Sequence, residues 1–208
     1  MGISNEAFLF GLVGQITPRK GQLELVKAFA NLTNRMPTAK LLIVGRPIFN
    51  NDHEYERQIL NAVKGLGMQD RVIFTGHRDD PLNVIDQLDT LVINSSSEAL
   101  VMVAIEAMAV GTPVIATDVG GTNEIIRHRY NGWLVDFGSA SQLEEALITL
   151  YENDLQRRLF AKRSRAIVEQ RLNAKRFISE FQSVLSSDRM PMRITDAQQA
   201  VPISVLEN

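Results

Sequence analysis

The 208-residue chain contains no cysteine and a single tryptophan. Without cysteine there can be no disulfide, thiolate zinc site, iron–sulfur cluster or cysteine nucleophile, a composition that suits a reducing compartment. Neither sign of charge is in excess, since 22 Lys and Arg stand against 24 Asp and Glu for a formal net charge of −2. No broad positive field is available for a nucleic acid backbone or an anionic membrane, so an anionic ligand must be met by local charges. No apolar run approaches the roughly 20 residues that span a bilayer, and the N-terminus lacks the basic-then-apolar pattern of a secretory signal. A cytoplasmic location is expected. Neither GxxxxGK[ST] nor GxGxxG occurs, and no histidine has metal-ligand spacing to a second histidine or a carboxylate pair, so no metal is expected.

What remains is the composition of an ordinary folded domain, 45% apolar and 22% charged with 13 Gly and 7 Pro. Strand-length apolar runs alternate with amphipathic stretches of helix length, the pattern of βα units feeding a parallel sheet. Six strands are predicted, at residues 8–13, 41–44, 72–75, 91–93, 113–116 and 133–135. Between them the spacing predicts helices over 22–34, from a cap at Asp52 to Gly65, from Pro81 with Leu82, Ile85 and Leu88 buried, over 98–110 and over 122–127. Three closing helices follow at 141–151, 155–170 and 174–185. His53 and His128 read as solvent-facing helix residues. Residues 1–187 are expected to form one α/β domain with helices on both faces of the sheet, and 188–208, which lack periodicity, a tail or arm.

In an open parallel sheet, ligands bind outside the carboxyl ends of the strands, and the unusual residues of this chain cluster there. The first strand runs into Gly14-Gln15-Ile16-Thr17-Pro18-Arg19-Lys20-Gly21, where backbone N–H groups, a helix start and two cations would suit phosphate. The plain alternative is a solvated basic turn in which Arg19 and Lys20, as direct neighbours, point differently. The fourth strand leads to Glu98, and Glu106 follows eight residues later within ALVMVAIEAMAV. On one helix the two carboxylates would stand roughly 12 Å apart along the axis and about 80° apart around it, too far to share a proton or metal but able to touch two parts of an elongated ligand. The alternative makes Glu98 a first-turn charge and Glu106 a satisfied core polar group. After the fifth strand, Gly120 and Gly121 allow close backbone approach to a ligand; His77 and Arg78, after the third, read equally as surface loop.

Phosphate donors and two separated carboxylates along one edge argue for a nucleoside diphosphate ligand. SSSEALVMVAIEAMAVGTPVIATDVGGTNEII resembles the signature of the retaining glycosyltransferases of family 4, an E-x7-E motif followed by EAMAxGxPVIAxxxGGxxEI. VGQITPRKGQLELVKAF is similar to that family's phosphate loop, LLIVG and DRVIFTGHRD to its next two strands, and NGWLVDFGSASQLEEALITLYEND to its closing segment, so the resemblance spans Phe8 to Ser187.

The resemblance implies the C-terminal, Rossmann-like half of a GT-B enzyme that transfers a hexosyl group from a nucleoside diphosphate sugar to a glycan or lipid, with retention, without a metal or other cofactor. By that resemblance Lys20 contacts the donor diphosphate, Glu98 the sugar hydroxyls and Glu106 the ribose hydroxyls. Backbone groups around His77 and Arg78 meet the base, and the Gly120-Gly121 turn sits against the diphosphate or sugar. The partner implied besides the sugar nucleotide is an N-terminal acceptor domain, absent from this chain, without which the isolated domain is expected to be inactive; peripheral membrane association would come through that other domain. The chain departs from the pattern at Gln15, where the family carries arginine, and at Ala99-Leu100-Val101, where it carries Gly-Phe-Gly or Pro-x-Gly. Arg19 is the candidate to replace the missing charge, and a contact needing a glycine backbone at Val101 is in question. The competing reading is a non-catalytic sugar-nucleotide-binding or partner-binding module; a GT-B epimerase or phosphorylase fits less well.

Overall fold

A computed structural model describes residues 3, 4 and 6–186. It contains six strands, β1 (Phe8–Val13), β2 (Ala39–Val44), β3 (Val72–Gly76), β4 (Thr90–Ile93), β5 (Val114–Thr117) and β6 (Trp133–Val135). All pairings are parallel, in the order β3-β2-β1-β4-β5-β6. The helices are α1 (Gln22–Asn31), α2 (Asn50–Gly65), α3 (Pro81–Asp86), α4 (Met102–Val110), α5 (Thr122–Ile125), α6 (Ala140–Glu152), α7 (Asp154–Arg171) and α8 (Ala174–Ser186).

The strand sequences are mostly apolar because both faces of the sheet are covered. Successive side chains point to opposite faces, and the core divides accordingly. Phe8, Phe10, Leu12, Leu41, Ile43, Val92, Ile115 and Trp133 pack with Leu25 and Phe29 of α1, Ile59 of α2 and Leu147 of α6. Their strand neighbours Leu42, Val44, Leu91, Ile93, Val114 and Ala116 pack with Ile85 of α3, Ala104 and Met108 of α4 and Ile125 of α5. This division follows from right-handed crossovers: connections running from β1 outward to β3 lay helices on one face, and those running back through β4 to β6 lay them on the other. The direction reverses between β1 and β4, so the chain diverges there and leaves a crevice above the sheet.

The helix boundaries differ from the sequence pattern where tertiary contacts intervene. The first helix ends at Asn31, three residues early, although Leu32 stays buried. Asp52 is not the cap of α2 but its third residue, and its carboxylate accepts the N–H of the actual cap, Phe49. Leu82 is 46% exposed, because α3 is too short for its first turn to reach the core that holds Ile85 and Leu88. The helix expected from Glu98 begins only at Met102, so Glu98 lies in a loop and the helical estimate of its separation from Glu106 does not apply. His128 lies outside any helix: α5 stops at Ile125, where the buried Asn131 side chain donates to the Ile125 carbonyl and accepts from Arg127 N–H. His128 then bridges to Gly132, and its Nδ1 accepts the Leu134 N–H.

The described residues fall into two compact units, one running to Arg171 and a second from Leu172. Within the second, α8 carries Phe177 and Phe181 one turn apart with stacked rings, and Asn173 caps the helix by accepting Arg176 N–H. The expected tail at 188–208 lies outside the described residues.

Candidate functional site

The site grows from the crevice between β1 and β4. Leaving β1, the chain makes a 3-10 turn over Pro18–Lys20, stopped by Gly21 at φ 64°, in the left-handed region that glycine tolerates. The two adjacent cations reach one acceptor through their long side chains: Lys20 Nζ donates to Glu98 Oε1 at 2.6 Å, and Arg19 Nη1 lies 3.3 Å from the same oxygen. Arg19 also donates to the Ser97 carbonyl at 2.8 Å. Neighbouring side chains were expected to diverge; here the turn and the β4 loop make them converge. The Lys20 and Glu98 side chains are only 15% and 10% exposed, against 44% for Arg19. Burial pushes the Glu98 carboxyl up, but the bond from Lys20 and the charges of Lys20 and Arg19 outweigh it and hold the group below the usual carboxylate range. The buried Ser95 hydroxyl, beside the carboxylate, adds to that depression without making a hydrogen bond of regular geometry.

The loop that carries Glu98 is fixed from both sides. Asn94 Nδ2 donates to the Gly21 carbonyl at 2.9 Å, Ser96 N–H to the Arg19 carbonyl at 2.8 Å, and Thr117 Oγ1 to the Ser95 carbonyl at 2.6 Å. Beyond β5, Gly120 adopts φ 53° with its Cα so close to the Glu98 carbonyl that a Cβ would lie 1.6 Å from that oxygen. At Gly121 a Cβ would lie 2.8 Å from the Ala99 carbonyl. The paired glycines are therefore required by backbone packing on the β4 loop, independently of any ligand.

The remaining candidates are arranged around this centre. Gln15 donates its amide to Asp52 Oδ2 at 2.6 Å, joining the β1 loop to the start of α2. Burial raises the Asp52 carboxyl, but bonds from Phe49, Gln15, Thr17 and Ile48 reverse the effect and lower it overall. Glu106 is half-buried on the outer stripe of α4 with Met102 and Ala109, rather than in the core, and has no hydrogen-bond or ion-pair partner among the described residues. Val101 caps α4 with its side chain 1% exposed, at φ −87°, a backbone any residue adopts. His77 and Arg78 stand on the loop after β3 and bond locally: His77 Nε2 lies 3.3 Å from Asp79, and Arg78 forms two 2.8 Å bonds to Asp80. Thus Arg19, Lys20, Glu98, Gly120 and Gly121 are brought together, while His77, Arg78 and Glu106 have no bond to them. Asn94 and Thr117, which position the site, were given no role from the sequence, and Asp52 was read only as a helix cap; the available signal was a polar residue directly after a buried strand or at a helix start. No group of three or more His, Asp or Glu side chains suited to a metal occurs among the described residues.

The family model for glycosyl transferases group 1 matches residues 2–167. The N-acetyl-alpha-D-glucosaminyl L-malate synthase of Bacillus anthracis is 30% identical over 183 residues, 88% of this chain and 46% of its own length. The chain therefore spans less than half of that relative. HepE of Anabaena, solved in complex with UDP, superposes with a TM-score of 0.82 at 28% identity, over 86% of this chain and 49% of HepE. The same protein has been solved with UDP-glucose. The C-terminal domain of the group 1 glycosyl transferase LpcC from Francisella tularensis superposes with a TM-score of 0.74 at 27% identity, covering 80% of this chain and 87% of that one. The sheet is thus Rossmann-like and matches GT-B glycosyltransferase structures, and the chain belongs to the group 1 glycosyltransferase family.

Proposed function

We propose that the crevice over β1 and β4 binds the diphosphate of a nucleoside diphosphate sugar and that the chain is the donor-binding half of a retaining hexosyltransferase. The observation that carries this reading is the convergence of Lys20, Arg19 and Glu98 at the point where the sheet changes direction. As the glycosidic bond to the diphosphate breaks, negative charge grows on the leaving group, and fixed cations stabilise it without reorganising. Lys20 takes that role, assisted by Arg19; in this reading no metal or other cofactor is used. Glu98 accepts hydrogen bonds from sugar hydroxyls, and Glu106, whose acceptor oxygens are free of protein partners among the described residues, accepts from the ribose hydroxyls. Backbone groups at His77 and Arg78 meet the base, and the Gly120-Gly121 backbone lies against the diphosphate or sugar. Val101 contributes only its backbone, since its side chain is buried, and Gln15 acts through Asp52.

The acceptor, a glycan or lipid, enters from a second domain facing this edge, a proposal supported by the half-length coverage of the relatives. We place the enzyme in the cytoplasm, in keeping with its cysteine-free composition. A non-catalytic nucleotide-binding module is the second reading, favoured by Gln15, whose neutral amide is committed to Asp52. Thermal unfolding with UDP-, GDP- and ADP-sugars and free nucleotides tests the donor site: ligand at a hundredfold excess over Kd adds about 2.7 kcal/mol. Stabilisation by one nucleotide class, lost in Lys20→Ala and Glu106→Ala, is expected. Transfer to an acceptor by the chain joined to its facing domain, or its absence despite binding, separates enzyme from module.

A further inference from the structure

Glu98 neutralises part of the positive charge offered to a diphosphate: one carboxylate oxygen lies 2.6 Å from Lys20 and 3.3 Å from Arg19, in a side chain 10% exposed. A site meant only to hold phosphate gains nothing from an anion so placed. A phosphate oxygen held by Lys20 at a charge-assisted distance of about 2.8 Å would lie within about 5.5 Å of that carboxylate. A sugar donor and the nucleoside diphosphate left after transfer differ there in charge. In the donor, the terminal phosphate is esterified and carries one negative charge. In the product that oxygen is free, and its second ionisation, near pH 6, adds about one further charge at neutral pH.

We propose that Glu98 is a discrimination device that selects sugar-bearing diphosphates over free ones and promotes product release. With the donor bound, the phosphates draw on Lys20 and Arg19, while sugar hydroxyls provide Glu98 with new hydrogen-bond donors. With the product bound, Glu98 faces the extra charge on the terminal phosphate and has no hydroxyl to replace the shared cations. The inference rests on the donor-site reading above and gives Glu98 a second duty, opposite in sign to that of a residue that only adds affinity.

Calorimetric titration of the chain with UDP and UDP-glucose, the ligands seen with HepE, tests the proposal in the parent protein, Glu98→Gln and Glu98→Ala. Glu98→Gln should bind UDP more tightly than the parent by between about fourfold and about 150-fold, the span set by bulk-water and protein-surface screening of one charge at this range. UDP-glucose affinity should stay level or fall. The gain for UDP should be larger at pH 8 than at pH 5.5, where the terminal phosphate is less ionised, and UDP-glucose should show no such dependence. Glu98→Ala should reproduce the gain, and unfolding midpoints within a few degrees of the parent would show that the loop is kept. Equal weakening of both ligands, or an equal gain for both at every pH, overturns the proposal and leaves the donor site standing. No binding of either nucleotide by the parent or the folded variants overturns both.

Discussion

The loops over β1, β4 and β5 and the loop after β3 sit at the same edge of one sheet, yet they are held in different ways. The first three are tied to one another across the sheet, by buried bonds from Asn94 to Gly21 and from Thr117 to Ser95, by the Ser96 N–H to the Arg19 carbonyl, and by the backbone of Gly120 packed against Glu98. The β3 loop is tied to itself, with His77 on Asp79 and Arg78 on Asp80, all of them exposed or half-buried. Charge development at the diphosphate demands donors already in place before reaction, whereas the end that meets a base only has to recognise it. Rigidity is concentrated where the chemistry is proposed to occur, and the region of looser, local bonding lies toward the periphery.

The strongest probe of the tied region is Gly120→Ala. The new methyl would collide with the Glu98 carbonyl, and the residue would be strained at φ 53°. Both effects push the β4 loop away, so a stability loss of about 2–4 kcal/mol is expected. For a domain of this size that lowers the unfolding midpoint by roughly 5–15 °C. Asn94→Ala comes next: it removes a buried bond to the Gly21 carbonyl, which keeps the Leu25 N–H as its other donor, and should cost about 0.5–1.5 kcal/mol in denaturant unfolding. If either change left stability and nucleotide binding untouched, the tied loops would not be the site's scaffold.

A gentler probe is pH. The carboxyls of Glu98 and Asp52 are both lowered in the folded state, so each contributes stability that is present in full above its unfolded value, about 4.3 for Glu and 3.9 for Asp, and is lost as pH falls through the folded value. Urea unfolding between pH 7 and pH 3 should therefore show stability declining below about pH 5. In Glu98→Gln the decline should be shallower. In Lys20→Met, where the cation that lowers Glu98 is gone and its burial remains, the Glu98 contribution should shrink or reverse, and the decline should again be shallower. A decline identical in all three proteins would mean that the ion cluster does not couple to folding.

These contrasts also explain what could be read from the sequence. The six strands and their intervening helices were legible because sheet and helix periodicity are local properties, and Phe8, Phe10 and Leu12 alternate with Leu9, Gly11 and Val13 whatever packs on them. Lys20, Glu98 and the paired glycines were legible as ligand candidates through position and motif. The details that shape the site were not. ALVMVAIEAMAV has no helix breaker near Glu98, and residues 98–101 stay out of α4 because the Gly120 backbone and the two cations hold them, which no local pattern records. The same reason hid the tying bonds of Asn94, Thr117 and Asp52, whose partners lie 73, 22 and 37 residues away.

The smallest effect is expected in the loop after β3. Arg78→Ala removes a two-bond pair with Asp80, but both side chains are about two-fifths exposed, so solvent screens the pair and the loss should stay within about 0–1 kcal/mol. Asp80 immediately precedes α3, and freeing its carboxylate lets it serve the first N–H groups of that helix, which offsets part of the loss. Because no bond links Arg78 to the Lys20–Glu98 cluster, the substitution should leave the Glu98 share of the pH dependence unchanged and reduce only the small acid-side share of Asp80, whose carboxyl Arg78 lowers. It should alter only the preference among UDP, GDP and ADP, measured as the ratio of their affinities. A drop in affinity for all three by the same factor would mean that Arg78 acts on the diphosphate, and the division between a tied centre and a self-contained periphery would have to be redrawn.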